Sequence, residues 1–343
     1  MRVGGPADRL VTAGSTDELV EAIREGDAAG QPLIILGGGS NVVIADAGWR
    51  GTVVRVATRG IQVESADACS GATVRVAAGE PWDEFVALAV SQGWSGVEAL
   101  SGIPGCVGAT PIQNVGAYGQ EIAQTLAQVR VWDRSAGGVR TLAAADCEFA
   151  YRDSRFKRAA GRYVVLDVVL QLPLCSLGAP VGYPDLAAQL GVAVGERVPL
   201  AAARAAVLQQ RRRRGMVLDE ADHDTWSCGS FFTNPVLTGG EFAGLTARVG
   251  GRLGPGHPPP AWPQPGGAVK TSAAWLIERA GFGKGFGLPG PAALSTKHTL
   301  AVTNRGTASA ADVLALARRV RDGVQATFGV RLHPEPVLVG VSL

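Results

Sequence analysis

Residues 101–122 read SGIPGCVGATPIQNVGAYGQEI, with five glycines and one charged side chain, Glu121. Glycine loses more conformational freedom on folding than any other residue, so a run this rich is kept for left-handed backbone or for close approach to a ligand. The plainer alternative is a surface connection, where Gly and Pro are common punctuation. A second run of the kind, LIILGGGSNVVIAD at residues 33–46, sets Gly37, Gly38, Gly39, Ser40 and Asn41 between two apolar segments. Successive N–H groups there can form an anion-binding concavity suited to a phosphate. A tight β-hairpin is the competing reading. Neither the Gly-Lys-Ser/Thr of a P-loop nor the G-x-G-x-x-G dinucleotide fingerprint is present. The Ser101 stretch suits a flat, partly apolar ring whose polar edge meets amide groups, and two such loops in one small domain point to a dinucleotide with a large ring.

The chain has 343 residues, enough for two or three domains. Its 32 basic and 30 acidic side chains give no reason to expect a nucleic-acid partner. Five widely spaced cysteines without C-x-x-C indicate neither a disulfide framework nor a metal site, which fits a reducing cytoplasm. The start MRVGGPADRL lacks an apolar signal core and no long uncharged apolar run follows, so the expectation is a soluble chain with no membrane partner.

STDELVEAIREGDAAG opens with a capping box, Ser15 and Glu18, and leads into the strand PLIIL. GTVVRVAT, TVRVAAG, AQVRVWD and VVLDVVLQL read as strands, with the helix PWDEFVALAVSQG among them. The texture changes after Pro173: AAARAAVLQQRRRR is a helix with a basic end, and LGPGHPPPAWPQPGG is a Pro/Gly loop. A boundary is expected between about 175 and 200. Beyond it come the helix KTSAAWLIERAG, the strand HTLAVTN, a long helix opened by Ser309, and the closing strand PVLVGV.

LGGGSNVVIAD, SGIPGCVGATPIQNVGAYGQEI, YRDSRFK, GSFFTNP and HPEPVLVG, in this order and at these separations, resemble the UDP-N-acetylenolpyruvoylglucosamine reductases (UDP-N-acetylmuramate dehydrogenases) of peptidoglycan precursor synthesis. The resemblance implies an α+β fold: an FAD-binding domain of the vanillyl-alcohol-oxidase type and a separate C-terminal α+β substrate-binding domain. The first is expected over 1–175 in two subdomains, about 1–58 and 59–175, with the strand 330–343 packing back on it, and the second over 200–329. Also implied are noncovalent FAD, NADPH as electron donor, an enolpyruvyl ether of UDP-N-acetylglucosamine as substrate, and a monomer. Members of the family carry about ten more residues ahead of the segment matching VGGPAD, so a flavin or strand contact made there is expected to be missing.

The same resemblance distributes roles. Cofactor contacts fall on Gly37, Gly38, Gly39, Ser40, Asn41, Ser101, Gly102, Ile103, Pro104, Gly105, Gly108, Ala109, Gln113, Asn114, Gly116, Ala117 and Tyr118. Reducing a vinyl ether that bears a carboxylate needs a hydride at one alkene carbon, stabilisation of charge on the carboxylate, and a proton at the second carbon. Arg152 matches the arginine that pairs with the carboxylate, Glu335 the glutamate that assists the enolate, and Ser230 the proton donor. Tyr151, Tyr183, Arg214 and Asn234 fall at substrate positions, Tyr183 as a lid. On residue chemistry alone, Arg152 is more often a surface ion pair, Glu335 a solvated loop residue and Ser230 a cap or turn, while Asn234 also reads as a turn, Tyr183 equally as a packing ring, and Arg211, Arg212 and Arg213 as a solvated helix end. No metal is expected, and His298 is the histidine to watch. Two other functions remain open: a flavin oxidase of the same fold acting on an alcohol or sugar, and a non-catalytic nucleotide or UDP-sugar binder.

Overall fold

The computed structural model describes residues 1–343 and divides into two compact units. One comprises residues 7–39 and 50–217, the other residues 1–6, 40–49 and 218–343. The break after Val217 lies beyond the 175–200 interval suggested by the change in texture. The reason is packing, since Val181, Leu186, Ala187, Val198, Ala203, Ala206 and Val207 bury together with Ala99 of the first half.

The larger unit holds two main sheets and one two-stranded hairpin. Three strands run in the order Ala7–Ala13, Trp49–Val56, Leu33–Leu36, the last two parallel. Against them lies the helix Thr16–Ala28, which buries Leu19 and Ile23. Its Ser15 hydroxyl accepts the Glu18 N–H at 3.2 Å, while the Glu18 carboxylate accepts from Gly14 rather than from Ser15, at 2.8 Å. The box is therefore half closed. Five antiparallel strands follow in the order Gly138–Ala143, Leu126–Asp133, Tyr163–Leu172, Gly71–Ala77, Ile61–Asp67. Tyr163–Leu172 is central and almost wholly buried, as its apolar run requires. A bulge between Val165 and Asp167 places the Asp167 carboxylate against Arg75 at 2.6 Å and Arg130 at 2.5 Å. The helix Trp82–Ser91 adds Trp82, Phe85, Val86 and Ala89 to the same core.

In the smaller unit the helix Ala310–Phe328 buries Val313, Leu314, Ala317, Val320, Val324 and Phe328 with Phe231, Phe232, Leu276 and Ile277. Its first N–H groups are held by Ser309 and, from far earlier in the chain, by Asp46, whose carboxylate accepts from Ala310 at 2.7 Å and Ala311 at 2.9 Å. Val42–Ile44 pairs in parallel with Val337–Val339. The strands flanking Gly37–Gly39 therefore belong to different sheets, which removes the hairpin reading of that run. No helix is long and apolar enough to cross a membrane.

Candidate active site

The two glycine runs of the larger unit meet through their missing side chains. A Cβ on Gly37 would lie 2.5 Å from the Cys106 sulfur, and one on Gly38 would lie 2.8 Å from the Gly105 Cα. Gly39 differs: at φ +64° its Cβ would meet no atom within 4 Å, so packing does not explain it and the bare backbone faces open space. Several polar groups of the second loop serve the loop's own shape. The Gly102 N–H donates to Asp83 at 2.6 Å, the Gly108 N–H to Ala78 O at 2.8 Å, and the Ser101 hydroxyl to Glu98 O at 2.6 Å. The Gly105 carbonyl accepts from Trp82 N at 3.0 Å. Ile103 is half-buried, Pro104 exposed and Ala109 half-buried beside Gly37. Burial pushes the Cys106 thiol up, against the pull of the Gly38 and Ala109 amides. This glycine-bounded frame, open at Gly39 and with charged side chains only beside Gly102, fits a flavin dinucleotide.

Gly116–Ala117 pairs with Gln120–Glu121 across the two-residue turn Tyr118–Gly119, at φ +50° and +89°. Positive φ at both central residues marks a type I′ hairpin. Its tyrosine is the unusual member, and its ring meets Tyr183 edge-on with centroids 5.7 Å apart. Gln113 and Asn114 are buried. Arg152 also has a left-handed backbone, φ +54°, and its guanidinium donates to Gly116 O at 2.6 Å and Asn114 O at 3.3 Å while standing 5.4 Å from the Tyr151 ring.

Tyr183 precedes the short helix Pro184–Leu190 and is 47% exposed. Arg214, at the end of the helix Leu200–Arg213, donates to the Asp185 carboxylate at 3.1 Å, which brings Tyr118, Tyr183 and Arg214 into one neighbourhood. Arg212 and Arg213 are exposed, as a solvated helix end should be, but Arg211 is not. Its Nε is buried without a hydrogen-bond partner and lies 3.4 Å from where a Gly102 Cβ would be, while Nη2 donates to Met216 O at 2.9 Å. Burial pulls its guanidinium below the ordinary value, opposed by Tyr118 and Asp83. Burial likewise raises the Tyr118 hydroxyl, against Arg211 and Arg214. Sequence reasoning passed over Arg211. The available signal was its spacing, three residues before Arg214 on the same helical face.

Ser230, Glu335, Asn234, Ser40 and Asn41 belong to the smaller unit. Gly229 at φ +74° turns the chain into Ser230–Thr233, and this segment bridges antiparallel to residues 333–335 through Phe232 and Pro334. The Glu335 N–H donates to Phe231 O at 2.9 Å, so Ser230 and Glu335 are carried by adjoining extended segments. Asn41 backs the same segment, since its carbonyl accepts from Val337 N at 3.0 Å and its side chain reaches Glu335 O at 3.5 Å. The Asn234 side-chain oxygen accepts from Ala273 N at 3.0 Å, at the start of the helix Ala273–Arg279, which is the turn-fixing role. The His298 N–H donates to the Ser295 hydroxyl at 3.3 Å. No group of three or more His, Cys, Asp or Glu is arranged to hold a metal.

Residues 7–143 match the family model described as FAD binding domain, which makes the chain an FAD-binding oxidoreductase in class. Residues 220–339 match the model described as UDP-N-acetylenolpyruvoylglucosamine reductase, C-terminal domain. The reductase of that name from Thermobifida fusca is 58% identical over 341 residues, covering 99% of this chain and 95% of that one. The one from Streptomyces coelicolor is 56% identical, covering 100% of this chain and 88% of the other. The crystal structure of UDP-N-acetylenolpyruvylglucosamine reductase from Thermus caldophilus superposes with a TM-score of 0.63 at 27% identity, covering 98% and 94% of the two chains. The chain belongs to the UDP-N-acetylenolpyruvoylglucosamine reductase family.

Proposed function

We propose that the protein reduces the enolpyruvyl ether of UDP-N-acetylglucosamine to UDP-N-acetylmuramate, with NADPH as electron donor, as a monomer in the cytoplasm during peptidoglycan precursor synthesis. The observation that carries this reading is the 58% identity to a reductase of that name over nearly the full length of both chains. FAD, when bound, would supply the hydride chemistry that links NADPH to the enolpyruvyl double bond. The chain's own residues do the rest. Gly37–Gly39 and residues 101–119 hold the cofactor. Arg152 binds the substrate carboxylate with the parallel donors of its planar fork, which suits an anion whose charge grows as the adjacent carbon becomes carbanion-like. Glu335 assists that enolate. Ser230 delivers the proton from its hydroxyl to the second carbon, and Tyr183 and Arg214 hold the sugar diphosphate.

A serine hydroxyl is a poor acid in water, so it protonates carbon only when placed beside the developing charge. Ser230→Ala removes the proton and keeps the size. In anaerobic stopped-flow, flavin reduction by NADPH is expected at the normal rate, and reoxidation by the enolpyruvyl substrate slower by ~10²–10⁴-fold, the span of general acid catalysis. Reoxidation by substrate at the wild-type rate would rule Ser230 out. A wild-type enzyme reoxidised by oxygen but not by this substrate would replace the reductase reading with an oxidase.

A further inference from the structure

Arg152 occupies a strained turn held by a buried amide behind it. Ala150 and Asp153 exchange both main-chain hydrogen bonds, at 3.0 and 3.1 Å, leaving Tyr151 and Arg152 as the tip, with Arg152 at φ +54°. A non-glycine residue in this region is strained and persists only where its surroundings over-determine it. Those surroundings can be named. Lys157 Nζ donates to Arg152 O at 2.8 Å, and the Ser154 hydroxyl donates to Ile112 O at 2.7 Å, fastening the turn to the loop ahead of Asn114.

Asn114 itself is 1% exposed and left-handed, at φ +44°. Its side-chain nitrogen donates to Ala150 O at 3.0 Å and to the Glu121 carboxylate at 2.9 Å, and its oxygen accepts from Ala123 N at 3.2 Å. Both amide donors and the acceptor are thus engaged by protein. One residue therefore grips the Arg152 turn through its side chain and the guanidinium through its own carbonyl. Gly116 completes the cradle, because a Cβ there would lie 3.0 Å from Arg152 Nη1. The guanidinium is rigid and planar, so fixing two of its N–H groups on the carbonyls of Asn114 and Gly116 sets the direction of the whole fork.

We infer that Asn114 is a positioning residue for Arg152: its side chain fixes the turn and the loop so that the guanidinium points in one direction, toward the substrate carboxylate. This rests on the role proposed for Arg152 and adds the device that aims it. A misplacement of ~1 Å in a reacting group costs on the order of 10²-fold in rate. The test measures both half-reactions by anaerobic stopped-flow in Asn114→Ala, Arg152→Lys and the double variant. Measured on enzyme saturated with FAD, Asn114→Ala should lose ~10–10² in reoxidation by the enolpyruvyl substrate, a loss several-fold larger than any change in its reduction by NADPH. In the Arg152→Lys background the same change should add less than ~3-fold, because residues acting through one group are not additive. Multiplying losses, equal damage to both half-reactions, or no loss at all would overturn the inference. If Arg152→Lys alone leaves reoxidation by substrate unchanged, it is the role of Arg152 that fails. Should Asn114→Ala not accumulate as holoprotein, Glu121→Gln decides, since it weakens the anchor of the same amide while keeping its size: a selective loss of reoxidation that disappears in the Arg152→Lys background supports the inference, and wild-type behaviour overturns it.

Discussion

The Arg152 turn and the segment carrying Tyr183 lie in the same unit and are built in opposite ways. At the turn, two left-handed non-glycine residues, Asn114 and Arg152, are held by side-chain bonds to main-chain groups, with Asn114 and Ser154 fully inside. Residues 176–200 instead form a narrow-necked excursion. Gly178 N donates to Val198 O at 2.8 Å and Val181 N to Glu196 O at 2.8 Å, and beyond this neck the helix Pro184–Leu190 buries only Leu186 and Ala187. The neck is tied down at its base by the buried Glu98 carboxylate, which accepts from Ala179 N at 2.6 Å, Gly96 N at 2.7 Å and Gln120 Nε2 at 2.9 Å. Tyr183 is half-exposed and the Asp185 side chain stays largely in water. The difference matches the two proposed tasks. Bidentate grip on a carboxylate that changes charge needs one fixed direction, whereas closing over a sugar diphosphate needs a surface whose movement breaks few buried contacts.

The contrast is tested most strongly at Arg152. Replacing the fork with the point charge of lysine in Arg152→Lys forfeits both carbonyl anchors and the parallel donors, so reoxidation by the enolpyruvyl substrate should fall ~10²–10³-fold, the scale of losing a preorganised donor at a developing charge. Flavin reduction by NADPH should be close to normal. Equal losses in both half-reactions would make Arg152 a structural residue and erase the distinction between the two regions.

A smaller and different effect is expected at the excursion. Tyr183→Ala removes a half-exposed ring from above Tyr118 and should raise the KM for the enolpyruvyl substrate ~10-fold, equivalent to about 1.4 kcal/mol, with kcat and flavin reduction changed less than ~2-fold. Steady-state kinetics with varied substrate decides it. An unchanged KM would leave Tyr183 as a packing residue, and a kcat effect as large as that of Arg152→Lys would show that the excursion also aims the chemistry.

Much of this architecture was legible in the chain because strong periodicity carries it. The helix Ala310–Phe328, with its Ser309 cap, and the apolar strand Tyr163–Leu172 stand where pattern and capping placed them. The helix Gly239–Leu253 was passed over because its five glycines mask a Thr238–Glu241 capping box, and the edge strand Ile61–Asp67 because it is exposed along its whole length. The glycine run at 37–39 was recognised as special, yet its two sides pair with different strands, one of them Val337–Val339 at the far end of the sequence, which local pattern does not encode. Least legible was the site's geometry. Nothing in QNVGAYG or YRDSR announces that Asn114 and Arg152 are left-handed, and Arg211 packs beside Gly102, more than a hundred residues away in the chain.

The gentlest test concerns Asp185. Its carboxylate and the Arg214 guanidinium are 3.1 Å apart, with side chains 71% and 38% exposed. A pair this wet contributes ~0–1 kcal/mol, because water screens the charges and two long side chains lose freedom in holding one geometry. Asp185→Asn should therefore leave thermal stability unchanged to within about 0.5 kcal/mol. Its effect on substrate should run opposite to that of Tyr183→Ala. In the free protein Arg214 is engaged with a carboxylate, and a sugar diphosphate must compete for it; asparagine keeps the shape but removes the competing charge. The expected result is a KM equal to or up to ~3-fold below wild type, with a steeper dependence on salt, since the freed cation is now balanced by the ligand alone. A melting shift equivalent to more than ~1.5 kcal/mol would mean that the pair locks the excursion much as Asn114 locks the turn. A tenfold rise in KM would instead place the Asp185 carboxylate itself against the substrate, and either result would remove the contrast between a fixed grip and a loosely held cover.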